Sequence, residues 1–191
     1  MKKRILLLTT LAAMLAAATA LSGVAQAAPI SDEADAQCLK LAIQTLGPSY
    51  NPGTYTFHGG TESTSTTEIN DNFDGQATLD PDVFCGFSGN DLINTLNAGD
   101  IFLGGAGTDR VGNNLGTFYG GEGDDIVAAN YSTFFGEEGT DVVIRQFGGT
   151  FDGGAGDNDQ VLMLCGSISN VERFSTTGCS PGPFPGPFPA P

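Results

Sequence analysis

Apolar residues recur along the middle of the chain at a short, regular interval. One series consists of phenylalanines, each two positions before a glycine: Phe84, Phe102, Phe118, Phe134 and Phe151. A second series is aliphatic: Ile93, Val111, Val127, Val143 and Val161. Their neighbours are mainly polar, a pattern that favours short strands with one inward side chain. Because both series repeat together, they predict an all-β fold, a parallel β-solenoid of about five coils whose equivalent residues stack.

A turn rich in glycine and aspartate occurs five times between these two series. Its aspartates, at intervals of 18, 16, 16 and 18 residues, are Asp91, Asp109, Asp125, Asp141 and Asp159. Its glycines are Gly86, Gly89, Gly104, Gly105, Gly107, Gly120, Gly121, Gly123, Gly136, Gly139, Gly153, Gly154 and Gly156. The other turn of each coil carries asparagine, glycine or aromatic residues instead, at 112–116, 128–132 and 146–149. Glycine and asparagine suit such corners because both tolerate positive φ.

The first turn resembles Gly-Gly-x-Gly-x-Asp-x-U-x, the nonapeptide of the RTX (hemolysin-type) calcium-binding repeat family. Residues 104–111 and 120–127 match it fully. The first copy lacks its second glycine, the fourth has Glu137 in that place, and the fifth carries one extra residue. The resemblance covers residues 83–161. It implies a secreted bacterial β-roll with Ca²⁺ between stacked turns, held by the glycines and aspartates named above.

Members of that family usually carry the motif on both edges of the roll. Here it recurs once per coil, so all five copies are predicted on one edge, with up to four calcium ions between five turns. Calcium takes six to eight oxygen ligands from carboxylates and carbonyls. Without a cation, carboxylates stacked about 4.8 Å apart repel one another. Two alternatives remain at this point: an acidic glycine-rich linker that binds nothing, and a β-helix without metal.

The flanking segments differ in composition from the repeats. Residues 28–50 are predicted to form a short N-terminal helical cap over the open end, because 31–46 has an acidic first turn and one apolar face. Residues 51–83 are predicted to be degenerate lead-in coils, and 84–164 the calcium-binding repeats. Residues 165–180 are predicted to form a C-terminal strand cap, and 181–191 a proline-rich disordered tail. The single histidine, His58, is expected at the surface or in a turn.

Residues 1–27 resemble a secretory signal peptide, with a basic start, an apolar run and a small-x-small cleavage site at 25–27. A membrane anchor is the alternative for this segment, and no other stretch is apolar enough to span a bilayer. Cleavage would remove three of the seven basic residues and none of the 22 acidic ones, which leaves a net charge of −18. Such a chain is unsuited to nucleic acid and suited to cations or basic partners. The predicted location is extracellular.

The four cysteines all follow the predicted signal peptide, and an even number in a secreted chain predicts disulfides. Cys85 precedes the repeats and Cys165 follows them, so the stacked coils would hold these two roughly 19 Å apart. A disulfide needs Cα atoms within about 7 Å. The predicted pairs are therefore Cys38–Cys85 and Cys165–Cys179.

Catalytic constellations are missing from the sequence: one histidine excludes a two-histidine metal site, and no nucleophile elbow or phosphate loop is complete. The leading hypothesis is a secreted, non-enzymatic calcium-binding protein whose folding is coupled to calcium. One alternative is a surface-adhesion module for polysaccharide, cell wall or ice, with Thr117, Thr133 and Thr150 as an outward ladder. The other is a glycan-active enzyme on a β-helix.

Overall fold

Two parallel sheets stacked face to face form the body of the protein. The computed structural model describes residues 33–61, 70–165 and 167–175. One sheet, sheet A, has the spatial order β1 (Thr56–Gly59), β2 (Asp82–Ser88), β4 (Ile101–Ala106), β6 (Thr117–Glu122), β8 (Thr133–Glu138), β10 (Thr150–Asp152) and β12 (Ser167–Ser169). The other, sheet B, has the order β3 (Leu92–Leu96), β5 (Arg110–Asn114), β7 (Ile126–Asn130), β9 (Val142–Gln146), β11 (Gln160–Val161) and β13 (Arg173–Phe174). Because the chain alternates between the sheets, each coil is one strand of each, and the predicted β-solenoid is confirmed.

From Phe102 to Phe151 the phenylalanine rings form a continuous stack inside the solenoid, and Phe73 links Phe84 to it. Ring centroids lie 5.0 Å apart for Phe102–Phe118, 4.7 Å for Phe118–Phe134 and 4.9 Å for Phe134–Phe151. These rings are fully buried, and the aliphatic series from Ile93 to Val161 faces them from sheet B. Both predicted ladders are therefore confirmed. Register between coils is fixed, since a slip of one residue would turn every apolar side chain outward.

The phenylalanine stack continues into the lead-in segment. His58 is in register with Phe84, and the two rings stack with centroids 4.8 Å apart. Phe73, which is buried, packs against the same ring at 5.6 Å. The expectation that His58 lies at the surface or in a turn is wrong. The parallel pairing of β1 with β2 gives His58 the inward place that phenylalanine holds in later coils.

The predicted helix is present as α1 (Glu33–Leu46), but it lies on the outside of sheet A. Its Cys38 and Ala42 are buried against the outward side chains of the first strands, which include Val83 and Ile101. The N-terminal end of the inner core is instead closed by Phe73 and His58. The predicted Cys38–Cys85 disulfide is confirmed, with Cα atoms 5.5 Å apart.

A ladder of buried side-chain amides runs along the edge opposite the glycine turns. Asn114 donates from Nδ2 to Asn130 Oδ1 at 2.7 Å, and Asn130 donates from Nδ2 to Gln146 Oε1 at 2.8 Å. Each asparagine also donates to a backbone carbonyl of sheet A. Asn114 donates to the carbonyl of Thr133, and Asn130 donates to that of Thr150. All three amide residues are fully buried. These bonds satisfy the buried side-chain oxygens of Asn130 and Gln146, while Asn114 Oδ1, at the start of the ladder, has no hydrogen-bond partner.

The C-terminal end, where a strand cap over 165–180 is predicted, is formed by two short strands, one in each sheet. β12 extends sheet A and β13 extends sheet B, and Leu164, Ile168 and Val171 pack partly buried against the inner core. Cys165 is disulfide-bonded. Its predicted partner Cys179, the tail 181–191 and the predicted signal peptide 1–27 lie outside the described residues. Within the described part of the chain, no helix is both long and apolar enough to cross a membrane.

We expect Asn130→Ala to lower the free energy of unfolding by about 1–3 kcal/mol, because it leaves Gln146 Oε1 buried without its donor. Asn113→Ala is the matched control, since Asn113 lies in the same sheet with its amide 3.5 Å from Thr95. The control should change stability by less than about 0.5 kcal/mol. Denaturant unfolding of both variants in one buffer measures the difference, and equal losses would show that the amide ladder adds nothing specific.

Candidate metal site on the aspartate edge

All five glycine–aspartate turns lie on one edge of the solenoid, as predicted. Each turn connects a strand of sheet A to the next strand of sheet B, from β2–β3 to β10–β11. Successive turns stack directly, since Gly105 is in register with Gly121 and Val111 with Val127. The structure therefore brings the predicted site residues of all five coils into one column.

Close stacking of the turns depends on glycine. Gly123 has φ +128°, and a Cβ added there would collide with the carbonyl group of Gly107 in the preceding coil. Its N–H donates to the Glu138 carbonyl of the following coil at 2.7 Å. At the second glycine position, however, Phe87 and Glu137 adopt positive φ, 67° and 77°. The two departures from the motif thus keep its backbone shape with strained residues.

The motif aspartates form a hydrogen-bonded ladder along the edge. In each coil the backbone N–H of the aspartate donates to Oδ1 of the next aspartate. The distances are 2.8 Å for Asp91 to Asp109, 2.7 Å for Asp109 to Asp125, 2.9 Å for Asp125 to Asp141 and 2.7 Å for Asp141 to Asp159. All five residues are buried. Every carboxylate is therefore held in one orientation, with Oδ1 used by the neighbouring coil.

Two residues that the motif did not predict extend this ladder. The N–H of Asp71 donates to Asp91 Oδ1 at 2.7 Å, and the N–H of Asp159 donates to Glu172 Oε2 at 2.8 Å. Asp71 is not part of a Gly-x-Gly turn. It does lie two positions before the buried Phe73, which is the same spacing as between each motif aspartate and its aliphatic residue. That spacing is the signal that would have found it.

The second carboxylate oxygen of each motif aspartate is buried without a hydrogen-bond partner. This holds for Oδ2 of Asp91, Asp109, Asp125, Asp141 and Asp159 among the described residues. Each Oδ2 points at the first glycine of its own turn: a Cβ on Gly120 would collide with Asp125 Oδ2 and lie 2.7 Å from the Gly136 carbonyl oxygen. The same pair of oxygens, one carboxylate and one carbonyl of the next coil, recurs at Gly86, Gly104, Gly136 and Gly153.

Asp71 provides an internal comparison, because its carboxylate has donors. Thr61 donates its backbone N–H to Asp71 Oδ2 at 2.7 Å and its hydroxyl to Oδ1 at 3.2 Å. A Cβ on Gly60 would lie 2.6 Å from the same Oδ2, so Gly60 stands where the first glycine stands in later coils. At Asp71, therefore, Oδ2 accepts a backbone N–H. In the five later coils the equivalent Oδ2 has no hydrogen-bond partner.

Burial raises the pKa of the ladder carboxyl groups, and neighbouring aspartates add to the effect. The pKa of Asp125, in the middle, rises to about 9, those of Asp109 and Asp141 to about 7 and that of Asp91 to about 6. The pKa of Asp159 is also raised, again chiefly by burial. Hydrogen bonds from the backbone oppose the shift without cancelling it. The metal-free edge therefore disfavours its own negative charge.

The donors at this edge are a mixed set of oxygens. Across residues 33–61, 70–165 and 167–175, no three acidic, histidine or cysteine side chains converge to hold a metal ion. A cation here would depend on glycine carbonyls beside one or two carboxylates, a hard-oxygen set that suits Ca²⁺ and is unlike the nitrogen and sulfur ligands of zinc. The unmet buried oxygens fit such an ion.

Comparison of the chain with protein-family models, curated proteins and solved structures finds no match. The resemblance to RTX repeats therefore rests on the motif residues and stays a prediction.

In calcium-free buffer we expect stability to fall as pH rises from about 5 to about 8. The folded-state pKa values lie above the unfolded value of about 3.9, so the folded protein binds more protons than the unfolded chain in this window. The stabilising contribution is complete below the unfolded pKa and is lost as pH passes the folded values. Thermal unfolding at several pH values measures it, and a constant or rising Tm over that range would contradict the raised pKa values.

Proposed function

We propose that this protein is a secreted, non-enzymatic calcium-binding β-roll whose folding is coupled to calcium. The observation that carries the proposal is the column of five buried carboxylate oxygens without hydrogen-bond partners, each beside a backbone carbonyl of the next coil, a glycine's in four cases and that of Asn170 in the fifth. Protein interiors rarely leave buried polar atoms unmet. Five at the same position in successive coils call for one shared explanation.

Calcium fits the chemistry of this column. It accepts six to eight oxygen ligands, both carboxylate and carbonyl, in irregular geometry, whereas magnesium demands a near-ideal octahedron and retains water. The aspartates Asp91, Asp109, Asp125, Asp141 and Asp159 would supply carboxylates, and the first glycines of the turns would supply carbonyls. With an ion between each pair of neighbouring turns, the five turns hold up to four ions. The bound ion supplies positive charge where the chain has buried only negative groups.

Coupling to folding follows from the same charges. Burying a charged carboxylate lowers the stability of the folded state by roughly several kcal/mol unless the carboxylate is protonated or paired with a cation. The stacked turns exist only in the folded chain, so calcium binds the folded state and its binding free energy becomes folding free energy. An N-terminal signal peptide at 1–27 would send the chain outside the cell, where calcium is abundant. The chain would then complete its fold after export.

We expect calcium to raise the thermal stability of the purified protein and to increase its β-sheet circular dichroism signal. A site filled at about one hundred times its dissociation constant adds about 2.7 kcal/mol. Circular dichroism and calorimetry in chelator and then in rising calcium measure both effects, with magnesium at equal ionic strength as the control. A β-rich spectrum and a Tm that do not change across the titration would favour the metal-free solenoid.

Asp125→Asn should have opposite effects with and without calcium. In calcium-free buffer it removes a carboxyl group that must either be buried as a charge or take up a proton on folding, and it keeps the Oδ1 acceptor for Asp109. We therefore expect Tm to rise by about 2–4 °C, as about 1 kcal/mol would produce. In calcium it removes an ionic ligand, so the calcium-induced rise in Tm should shrink.

Asp124→Asn is the matched control for this experiment. It makes the same change of formal charge one residue away, at an exposed side chain whose Oδ1 accepts the N–H of Thr140. We expect its calcium response to equal that of the unaltered protein. If the two variants respond alike to calcium, a specific ligand role for Asp125 is excluded and only general charge screening remains.

A further inference from the structure

We propose that the N-terminal part of the protein, residues 33–59 with β2, folds without calcium and is the template on which the calcium-dependent coils stack. This inference rests on the proposed function for the later coils. Its basis is a contrast within the molecule between carboxylates that the protein itself satisfies and carboxylates that it does not.

The buried carboxylate nearest the N-terminal end is fully hydrogen-bonded. Asp82 lies in β2 and accepts the Thr78 N–H at 2.6 Å, the Thr78 hydroxyl at 3.1 Å and a bond from His58 Nε2 at 3.0 Å. Its side chain is completely buried, and among the described residues His58 is the basic group that pairs with it. The Asp71 carboxylate is likewise met by Thr61. Neither side chain requires an ion.

The same aspartate-to-aspartate link that builds the ladder also occurs here in a satisfied form. The N–H of Asp82 donates to Asp100 Oδ1 at 3.1 Å, and the N–H of Asn97 donates to Asp100 Oδ2 at 3.1 Å. Both oxygens of Asp100 therefore have protein donors. In the ladder on the opposite edge, each Oδ2 from Asp91 onward has none among the described residues.

Packing divides the molecule at the same place. The first strands are buried on both faces: Phe84 points into the inner core, while Val83 and Cys85 point outward beneath α1. The Cys38–Cys85 disulfide joins that helix to β2. Farther along sheet A the outward positions hold Thr117, Thr133 and Thr150, and between them Tyr119 and Phe135, whose rings stack 5.0 Å apart. The first strands thus have a second apolar layer closed by α1, whereas the late coils have an outer face without that helix and the unmet carboxylates.

A solenoid coil is stabilised mainly by contact with its neighbours, so a folded first coil presents an edge on which the next can form. β2 offers that edge to β4, and the register continues from Phe84 to Phe102. Calcium would then order coils already aligned by a folded template. Formation of the first coil, which is the least favourable step of folding, would then not require calcium.

Hydrogen exchange with mass spectrometry, on the intact protein in chelator and in calcium, tests this. In chelator we expect peptides from 33–59 and 82–88 to exchange at least about tenfold more slowly than peptides from 110–161, whose coils are only marginally stable without calcium. In calcium both regions should be protected. Loss of protection in both regions together on chelation would overturn the template while leaving calcium-coupled folding intact. Protection of 110–161 that is equal in chelator and in calcium would instead overturn the proposed function.

Two variants sharpen the result. Cys38→Ser combined with Cys85→Ser should abolish protection of 33–59 in chelator, yet leave both regions protected in calcium, which shows that the variant still folds. Asp125→Asn should leave the protection of 33–59 in chelator unchanged, because it alters only the later coils. If the disulfide variant retains full protection of 33–59 in chelator, the role assigned to the helix–strand link is wrong.

Discussion

The hydrogen bond from each aspartate N–H to the next aspartate's carboxylate is the contact on which this structure depends. It fixes the spacing of the turns and orients every carboxyl group, with one oxygen used and the other buried. Burial of the used oxygen is compensated by the bond, whereas burial of the second oxygen is not. The glycines follow from this arrangement, because at Gly120 any side chain would occupy the space between Asp125 Oδ2 and the next carbonyl.

The two edges of the solenoid solve one problem differently. Both must bury polar groups where the chain turns between sheets. On one edge neutral amides of Asn114, Asn130 and Gln146 pair with one another, so donors and acceptors nearly balance. On the other edge, carboxylates supply only acceptors, and the backbone provides one donor per coil. Five unmet oxygens lie on the aspartate edge, whereas the three ladder amides leave one, Asn114 Oδ1. The aspartate edge is therefore where the proposed cation would act.

Sequence periodicity predicted much of this molecule because side chains that stack must repeat. Phe118 and Val127 show the coil length directly, and the cysteine spacing identified the Cys38–Cys85 link. The end coils were not predicted, because a different residue type occupies the position of the repeated phenylalanine or aspartate there and makes the equivalent contact. His58 stands for phenylalanine and Glu172 for aspartate, and only the register of the strands makes them equivalent.

The location of α1 and the amide ladder escaped prediction for a related reason. Alternation in β2 shows that Val83 points away from Phe84, but not which segment covers it. Gln146 follows Asn114 and Asn130 in the ladder, although its side chain is one carbon longer and its turn has a different composition. Single-residue propensities say little about such contacts, which depend on tertiary packing.

Both ladders point the same way, since each coil donates to the coil that follows it on the aspartate edge and on the amide edge. A coil in the interior therefore presents its ladder acceptors to the preceding coil and its ladder donors to the following one, whatever its number in the stack. The number of coils can then vary in evolution or design, because copying a 16-residue unit such as 109–124 reproduces the same junction. Each copy also adds one more unmet buried oxygen. If the proposed function holds, a longer protein of this kind would bind more calcium ions at sites of the same kind.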